Sequence, residues 1–296
     1  MNGFLNILKP PGMSSGAVVA VIKRLTGEKI GHTGTLDPEA AGVLPVMVGK
    51  ATKLLDYIPD REKEYIAQLC FGVSTDTQDA QGKAIEVSDK VVSKEELEEI
   101  LPKFIGEIDQ CPPAYSAIKL NGKPLYALAR QGKMIEGAAR KTLIRTIEIL
   151  DQPDENLFTI RVRCGRGTYI RTLCHDIGTE LGCPACMRYL LRTNSGFFHI
   201  ENAVTLEELI DAPDKIEEHL LPLDQPLNEI PRFDLPDELK KPALNGVALP
   251  DTICRERYAL IRLYLENEFI GISRLDDGLY KTAVLLKTAN DIPKDK

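Results

Sequence analysis

The stretch Gly31-His32-Thr33-Gly34-Thr35-Leu36-Asp37-Pro38-Glu39-Ala40-Ala41-Gly42-Val43-Leu44-Pro45 holds the most suggestive chemistry in the sequence. Three glycines and two prolines in fifteen residues exclude a regular helix or a central strand, so most of this segment must be loop. Within it, Asp37 follows the imidazole of His32 and the hydroxyls of Thr33 and Thr35. Two readings of Asp37 stand side by side. In one it opens an Asp-Pro turn, because an Asp side chain bonds its own backbone and Pro presets the next φ. In the other it is a positioned carboxylate in a glycine-lined cleft, able to act as nucleophile or base.

The elements that must position this loop can be read from periodicity and punctuation. Residues 4–8 form a short apolar strand, stopped by the turn signal Pro10-Pro11-Gly12. Ser14 and Ser15 are placed to N-cap a helix whose Val18, Val21, Ile22 and Leu25 fall at helical spacing, with Gly27 near its end. Residues 65–71 read as a strand. Ser93-Lys94-Glu95-Glu96 and Thr205-Leu206-Glu207-Glu208 are capping boxes; the first starts a helix reaching about Phe104. Further strands are predicted over 142–150, 157–164, 259–265, 269–274 and 281–286, with a turn at Asp276-Asp277-Gly278. Strict βαβ alternation is missing and no G-x-G-x-x-G follows a strand, which excludes a doubly wound nucleotide fold. Pro222, Pro226, Pro231, Pro236 and Pro242 mark a linker, which places a domain boundary near Ile230.

At 296 residues, 43% hydrophobic and 27% charged, the composition is that of a soluble globular chain of one large or two ordinary domains. There is no apolar run long enough to span a membrane and no basic-then-apolar leader, so the expected location is cytoplasmic. Seven cysteines in a long chain argue against a secreted disulfide framework. The net charge of −7 hides an uneven distribution. Residues 112–200 carry thirteen Lys and Arg against seven Asp and Glu, whereas residues 201–230 carry nine acids against one Lys. A basic middle is the electrostatic footprint of phosphate binding, so an RNA or nucleotide partner stays open. Cys183-Pro184-Ala185-Cys186, preceded by Cys174-His175, is a C-x-x-C open to a zinc or redox reading. It has no second pair and no thioredoxin-like context, so no metal is expected.

Residues 31–45 resemble the catalytic motif of the TruB family, the bacterial tRNA pseudouridine-55 synthases. Four further stretches agree in order over about 190 residues: the Lys-Pro-x-Gly segment at Lys9-Pro10-Pro11-Gly12, the Lys-x-Tyr motif at Lys63-Glu64-Tyr65, an RNA-gripping insertion beginning Pro112-Pro113-Ala114-Tyr115-Ser116, and Gly167-Thr168-Tyr169-Ile170-Arg171-Thr172-Leu173. The last is expected, by the resemblance, to be a second active-site strand. The Gly72-Val73-Ser74-Thr75-Asp76-Thr77-Gln78-Asp79-Ala80-Gln81-Gly82 loop also matches, and it lacks the twelfth-position Glu of a calcium loop.

The resemblance implies a mixed α/β fold: a largely antiparallel catalytic sheet with a cleft over residues 1–230, an RNA-gripping insertion at about 112–150, and a small β-rich PUA-like RNA-binding domain at 231–296. It implies catalysis by Asp37, Tyr65 and Arg171. Asp37 attacks a flipped-out uridine at base or sugar, Arg171 keeps that carboxylate ionised, and Tyr65 stacks on the base and is the candidate to take the C5 proton. His32 fills the space the uridine leaves, Tyr169 and Leu190 line the pocket, with Leu191 competing for the latter place. Asp79, Lys119, Lys123 and Arg130 lie on the RNA side, with Asp79 also read as loop-shaping. Flipping costs a few kcal/mol, which phosphate contacts must offset. No cofactor, no metal and no obligatory protein partner are implied; the partner is the TΨC stem-loop of tRNA and the expected state is a monomer. The chain departs from the family at Gly16, at Gly137-Ala138-Ala139 and at Cys186, where relatives often carry His in an otherwise similar helix. The alternative function is a tRNA-binding and folding module with secondary or no catalysis.

Overall fold

A computed structural model describes residues 1–58, 62–116, 118–120, 122–125, 129 and 137–288; the side chains of residues 119, 120, 123 and 124 lie outside that description. The architecture is mixed α/β, built on one large, mostly antiparallel sheet and a second, smaller one. Chain order begins with β1 (Gly3–Lys9), helix α1 (Ser15–Thr26), β2 (Ile30–His32), β3 (Ala41–Val48) and β4 (Lys63–Phe71). After the small hairpin β5 (Val73–Thr75) and β6 (Ala84–Val87) come α2 (Lys94–Ile100), β7 (Gly106–Gln110), the hairpin β8 (Lys119–Leu120) and β9 (Lys123–Pro124), β10 (Arg140–Asp154) and β11 (Leu157–Cys164). Helix α3 (Ile170–Glu180), β12 (Ala185–Ser195), β13 (Phe198–His199), β14 (Val204–Thr205) and α4 (Leu206–Asp211) complete the first sheet and its cover. Its strand order is β14-β1-β3-β12-β4-β11-β10-β7, with β2 on β3 and β13 on β12.

Local sequence explains these elements. β3, Ala-Gly-Val-Leu-Pro-Val-Met-Val, is buried at every position, as expected of a strand covered on both faces. In β4 burial alternates from Tyr65, so Tyr65, Ala67, Leu69 and Phe71 share the core face. Ser14 caps α1 by accepting from the Ala17 amide, and Gly27 ends it with φ 69°. Both predicted capping boxes form, Ser93 with Glu96 and Thr205 with Glu208. Helices α2 and α3 cover one face of the sheet, bringing Leu97, Ile100, Ile170, Leu173, Cys174 and Ile177 onto Ala67, Leu69, Phe158, Ile160 and Val162. Helix α1 lays Val18 and Ile22 on Leu5, Ile7, Leu44 and Val46.

Two expectations from the resemblance are overturned. Residues 167–173 are not a strand: Gly167 turns at φ 84°, Tyr169 caps, and Arg171 lies in the first turn of α3. The period decides it, because Ile170, Leu173, Cys174 and Ile177 recur at i, i+3, i+4 and i+7 and are all buried. Conversely, Cys186 lies on strand β12, not on a helix.

The second sheet has the order β15-β17-β18-β19-β16, formed by β15 (Arg232–Asp234), β16 (Leu249–Pro250), β17 (Leu260–Leu265), β18 (Glu268–Asp276) and β19 (Leu279–Leu285), with helix α5 (Asp237–Leu244) beside it. Its own core holds Leu244, Ile261, Leu263, Ile270 and Tyr280. It also shares a core with the first sheet, in which Ile272, Val284 and Leu286 pack with Phe4, Val43, Met47 and Leu54.

Candidate active site

Asp37 sits in the loop between β2 and β3, and polar side chains from three distant elements hold that loop. Ser15, at the start of α1, donates to the Leu36 carbonyl at 3.0 Å and accepts from the Leu36 amide at 2.9 Å. Lys9, fully buried at the end of β1, donates to the carbonyls of Pro38 and Pro10 at 2.8 and 2.7 Å. Burial lowers the Lys9 ammonium to about 8, against the opposing pull of Glu39 and Asp37. Arg192 of β12, also fully buried, donates to the carbonyls of Val43 at 2.7 Å and Gly34 at 3.1 Å. The backbones of β3 and β12 approach so closely that a Cβ on Gly42 would stand 2.2 Å from the Arg192 carbonyl oxygen, and Gly42 holds φ 111°. Glycine is required there.

The carboxylate so presented meets Arg171. The guanidinium grips it twice, Nε to Oδ2 at 2.8 Å and Nη2 to Oδ1 at 3.1 Å. Such fork-on-fork pairing fixes orientation as well as charge. Arg171 is in turn fixed by the Thr77 and Tyr115 carbonyls, each at 3.0 Å, and faces Asp79 at 3.7 Å. The pair is unequally exposed: the Arg171 side chain is 5% accessible and that of Asp37 is 37%. The cation is built into the wall and the carboxylate faces outward from it.

Tyr65, Leu36 and Leu190 belong to the same buried cluster beside this pair. In the β4–β12 ladder Arg192 opposes Tyr65 and Leu190 opposes Ala67, while Leu191 opposes Ile66 and therefore points to the other face. That register separates Leu190 from its competitor. Burial pushes the Tyr65 phenol up to about 12, and the nearby Arg192 guanidinium pulls the other way. His32 is half-buried at the end of β2, its Nδ1 has no hydrogen-bond partner among the described residues, and burial with the nearby Arg192 lowers its proton affinity. That shift favours the neutral ring, which is suited to stacking. Tyr169 is anchored by Gln110, whose side-chain amide both donates to its carbonyl at 3.2 Å and accepts from its amide at 3.0 Å. Burial raises its phenol as well. Asp79 shapes its own loop, accepting from Thr77 Oγ1 at 2.6 Å and the Gln81 amide at 3.1 Å.

The structure thus brings Asp37, Arg171, Tyr65, Leu190 and Asp79 together, with His32 and Tyr169 at the ends of elements leading into them. Lys119 and Lys123 lie on the β8–β9 hairpin with side chains outside the described residues, and Arg130 lies outside them altogether. Much of the basic excess of 112–200 is not free for phosphate: Arg145, Arg161 and Arg163 pair with Glu62, Glu148 and Glu64, and Arg171 and Arg192 are buried. Sequence reasoning missed Arg192, Lys9, Ser15 and Gln110 as positioning groups. For Arg192 a signal existed, since strand alternation through Leu190 places it on the core face.

Comparison with known proteins identifies the family. The family model described as "TruB family pseudouridylate synthase (N terminal domain)" matches residues 23–170, and that described as "tRNA pseudouridylate synthase B C-terminal domain" matches residues 171–228. The chain is 46% identical to the tRNA pseudouridine synthase B of Alkaliphilus oremlandii (strain OhILAs), over 97% of this chain and 98% of that one. It is 43% identical to that of Clostridium novyi (strain NT), over 97% and 100%. Among solved structures, that of a Cbf5-Nop10-Gar1 complex superimposes with a TM-score of 0.73 at 27% identity, covering 99% of this chain and 87% of that one. With the sheet, the loop and its carboxylate–guanidinium pair in place, the chain belongs to the TruB family of pseudouridylate synthases.

Proposed function

We propose that this chain converts uridine 55 in the TΨC loop of tRNA to pseudouridine, with Asp37 as the nucleophile. The observation that carries this reading is the Asp37–Arg171 pair, in which a nine-tenths buried cation aims a partly open carboxylate outward. The bidentate guanidinium fixes the plane and direction of the carboxylate that is to attack. The target uridine must leave its stack to reach the loop. Asp37 then forms a covalent bond to the nucleotide, the N1–C1′ bond breaks, the uracil turns and a C5–C1′ bond forms; the bond to Asp37 breaks to restore the carboxylate, the C5 proton departs and N1 takes one up. Substrate and product are isomers, so no electrons and no atoms beyond water's protons are exchanged.

Tyr65 and Leu190 cover the uracil from the β4–β12 face, and Tyr65, once ionised, takes the C5 proton. His32 occupies the place the uridine vacates, Tyr169 lines the pocket, and Asp79 braces Arg171. Lys119, Lys123 and Arg130 hold phosphates of the stem-loop. The second sheet acts as a PUA-like RNA-binding domain over residues 231–296, and the enzyme works as a cytoplasmic monomer without a protein partner. The intact trio of Asp37, Tyr65 and Arg171 favours catalysis over a role confined to binding and refolding tRNA.

Tritium release from tRNA labelled at C5 of uridine tests the proposal. Wild-type protein should free label to water and place pseudouridine at position 55, while Asp37→Asn binds tRNA and releases none. Binding without release by wild type would overturn it.

A further inference from the structure

The Cys183-x-x-Cys186 motif plays no part in the site above, and the fold gives its two members different neighbours. Cys183 directs its thiol at the carbonyls of Lys90 and Pro184, at 3.7 and 3.9 Å. Cys186 lies on β12, where its register partner across the antiparallel ladder is Cys70 of β4. Directly opposed residues project from the same face with Cβ atoms about 4.5–5.5 Å apart. A disulfide asks for about 3.5–4.5 Å, so only a small closure of the ladder separates the two states. The Cys70 thiol itself lies 3.8 Å from the Phe71 carbonyl, with no backbone element between the two sulfur-bearing residues of the ladder.

The pair is asymmetric in a way that assigns each sulfur a step. Cys70 is half-buried and Cys186 is only 2% exposed. The neighbouring Cys186 thiol, helped by the Arg188 guanidinium and opposed by burial and Asp154, holds the Cys70 thiol below its ordinary range. The Cys70 thiol and burial hold Cys186 above it, with Cys174 and Asp79 adding to the rise. Cys70 is therefore the sulfur that an oxidant reaches first, with Cys186 buried behind it.

We propose that Cys70 and Cys186 form an oxidisable dithiol, an intrachain modification site closed to a disulfide by a peroxide. The Cys70 thiolate attacks a peroxide oxygen; an S–O bond forms, the O–O bond breaks, and the departing hydroxide takes a proton to become water. The Cys186 sulfur then attacks Cys70, an S–S bond forms, the S–O bond breaks, and the Cys186 proton leaves with the hydroxyl as a second water. Two thiols lose two electrons and one peroxide becomes two waters. Neither step passes through Asp37, so the site stands or falls independently of the catalytic reading.

The test is titration of the full-length Cys111→Ser protein, which lacks the exposed thiol, with hydrogen peroxide, read by intact mass and peptide mapping. The expected result is a loss of two thiols and about 2 Da, a single cross-linked peptide joining Cys70 to Cys186, and recovery with dithiothreitol. Adding Cys186→Ser should abolish the link and leave Cys70 as a sulfenic acid captured by dimedone. Adding Cys70→Ser should abolish both the link and the dimedone adduct. A link between Cys183 and Cys186, or retention of both thiols while other cysteines oxidise, overturns the proposal. Circular dichroism identical to wild type keeps the serine variants interpretable.

Discussion

Arg192 opposes Tyr65 in the β4–β12 ladder, and its guanidinium reaches the Gly34 carbonyl at 3.1 Å and the Val43 carbonyl at 2.7 Å. One fully buried cation thus joins the wall that is to face the uracil to the loop that presents Asp37. Displacement of either would be felt by the other.

Replacing Arg192 with Met keeps much of the apolar stem and removes the donors, leaving the Val43 and Gly34 carbonyls without their partner. The chain is expected to lose about 2–4 kcal/mol of stability, measured by urea unfolding. Because the loop would drift from its register, kcat should fall by at least about 100-fold while tRNA affinity changes little. An activity loss that merely tracks the unfolded fraction would show that Arg192 has no positioning role.

The fork between Arg171 and Asp37 makes Arg171→Lys a sharp substitution. Lysine keeps the charge but cannot hold both carboxylate oxygens in one plane. Single-turnover tritium release should drop by about 100-fold or more, with tRNA binding retained. Arg171→Ala should cost stability too, by about 2–4 kcal/mol, because the Thr77 and Tyr115 carbonyls lose their donor inside the protein. Wild-type rates in Arg171→Lys would remove the pair from the mechanism.

Much of this site is legible in the sequence. The Gly/Pro density of residues 31–45 announced a loop, and motif order singled out Asp37, Tyr65 and Arg171. Most strands and both capping boxes followed from alternation and local hydrogen-bonding chemistry. A motif is not an element: Gly167 to Leu173 resembles an active-site strand of the family, yet its apolar spacing is that of a helix and a helix forms from Ile170. Arg192 is easily passed over for a related reason: a charged residue is assigned to the surface by default, and only the strand alternation through Leu190 reverses that. Lys9 and Ser15 act on backbone carbonyls and amides far along the chain, and sequence spacing carries no trace of such contacts.

Tyr65 supplies a pH test. Burial raises its phenol from the usual 10.0 to about 12, so across the neutral range the ionised fraction is small and grows about tenfold per pH unit. If tyrosinate takes the C5 proton, single-turnover tritium release rises from about pH 7 to about pH 9 in wild type, and Tyr65→Phe is slower with no such rise. A flat wild-type profile would leave Tyr65 a stacking role alone. For stability the sign is opposite: the folded state favours the neutral phenol, so its contribution is lost as pH climbs from about 10 towards 12.

The second sheet is tied to the first by more than a linker, and this makes its removal informative. Ile272, Val284 and Leu286 are packed with Phe4, Val43, Met47 and Leu54, and Lys50 Nζ donates to the Leu286 carbonyl at 2.7 Å. Arg262 reaches back from β17 to the Ile230 carbonyl at 2.7 Å and to Asn228 Oδ1 at 3.2 Å. Uncovering three aliphatic side chains costs about 5 kcal/mol, which for a chain of this size corresponds to a fall of about 10–15 °C in Tm. Calorimetry of the full chain should show one transition, and a fragment ending at Ile230 should melt that much lower and bind a hydrophobic dye. Two separate transitions, or a fragment as stable as the whole, would show that the sheets fold independently. The coupling matters for the catalytic loop because Val43, whose carbonyl holds Arg192, lies in the shared core, so loss of the second sheet should slow catalysis even on a stem-loop too short to touch it.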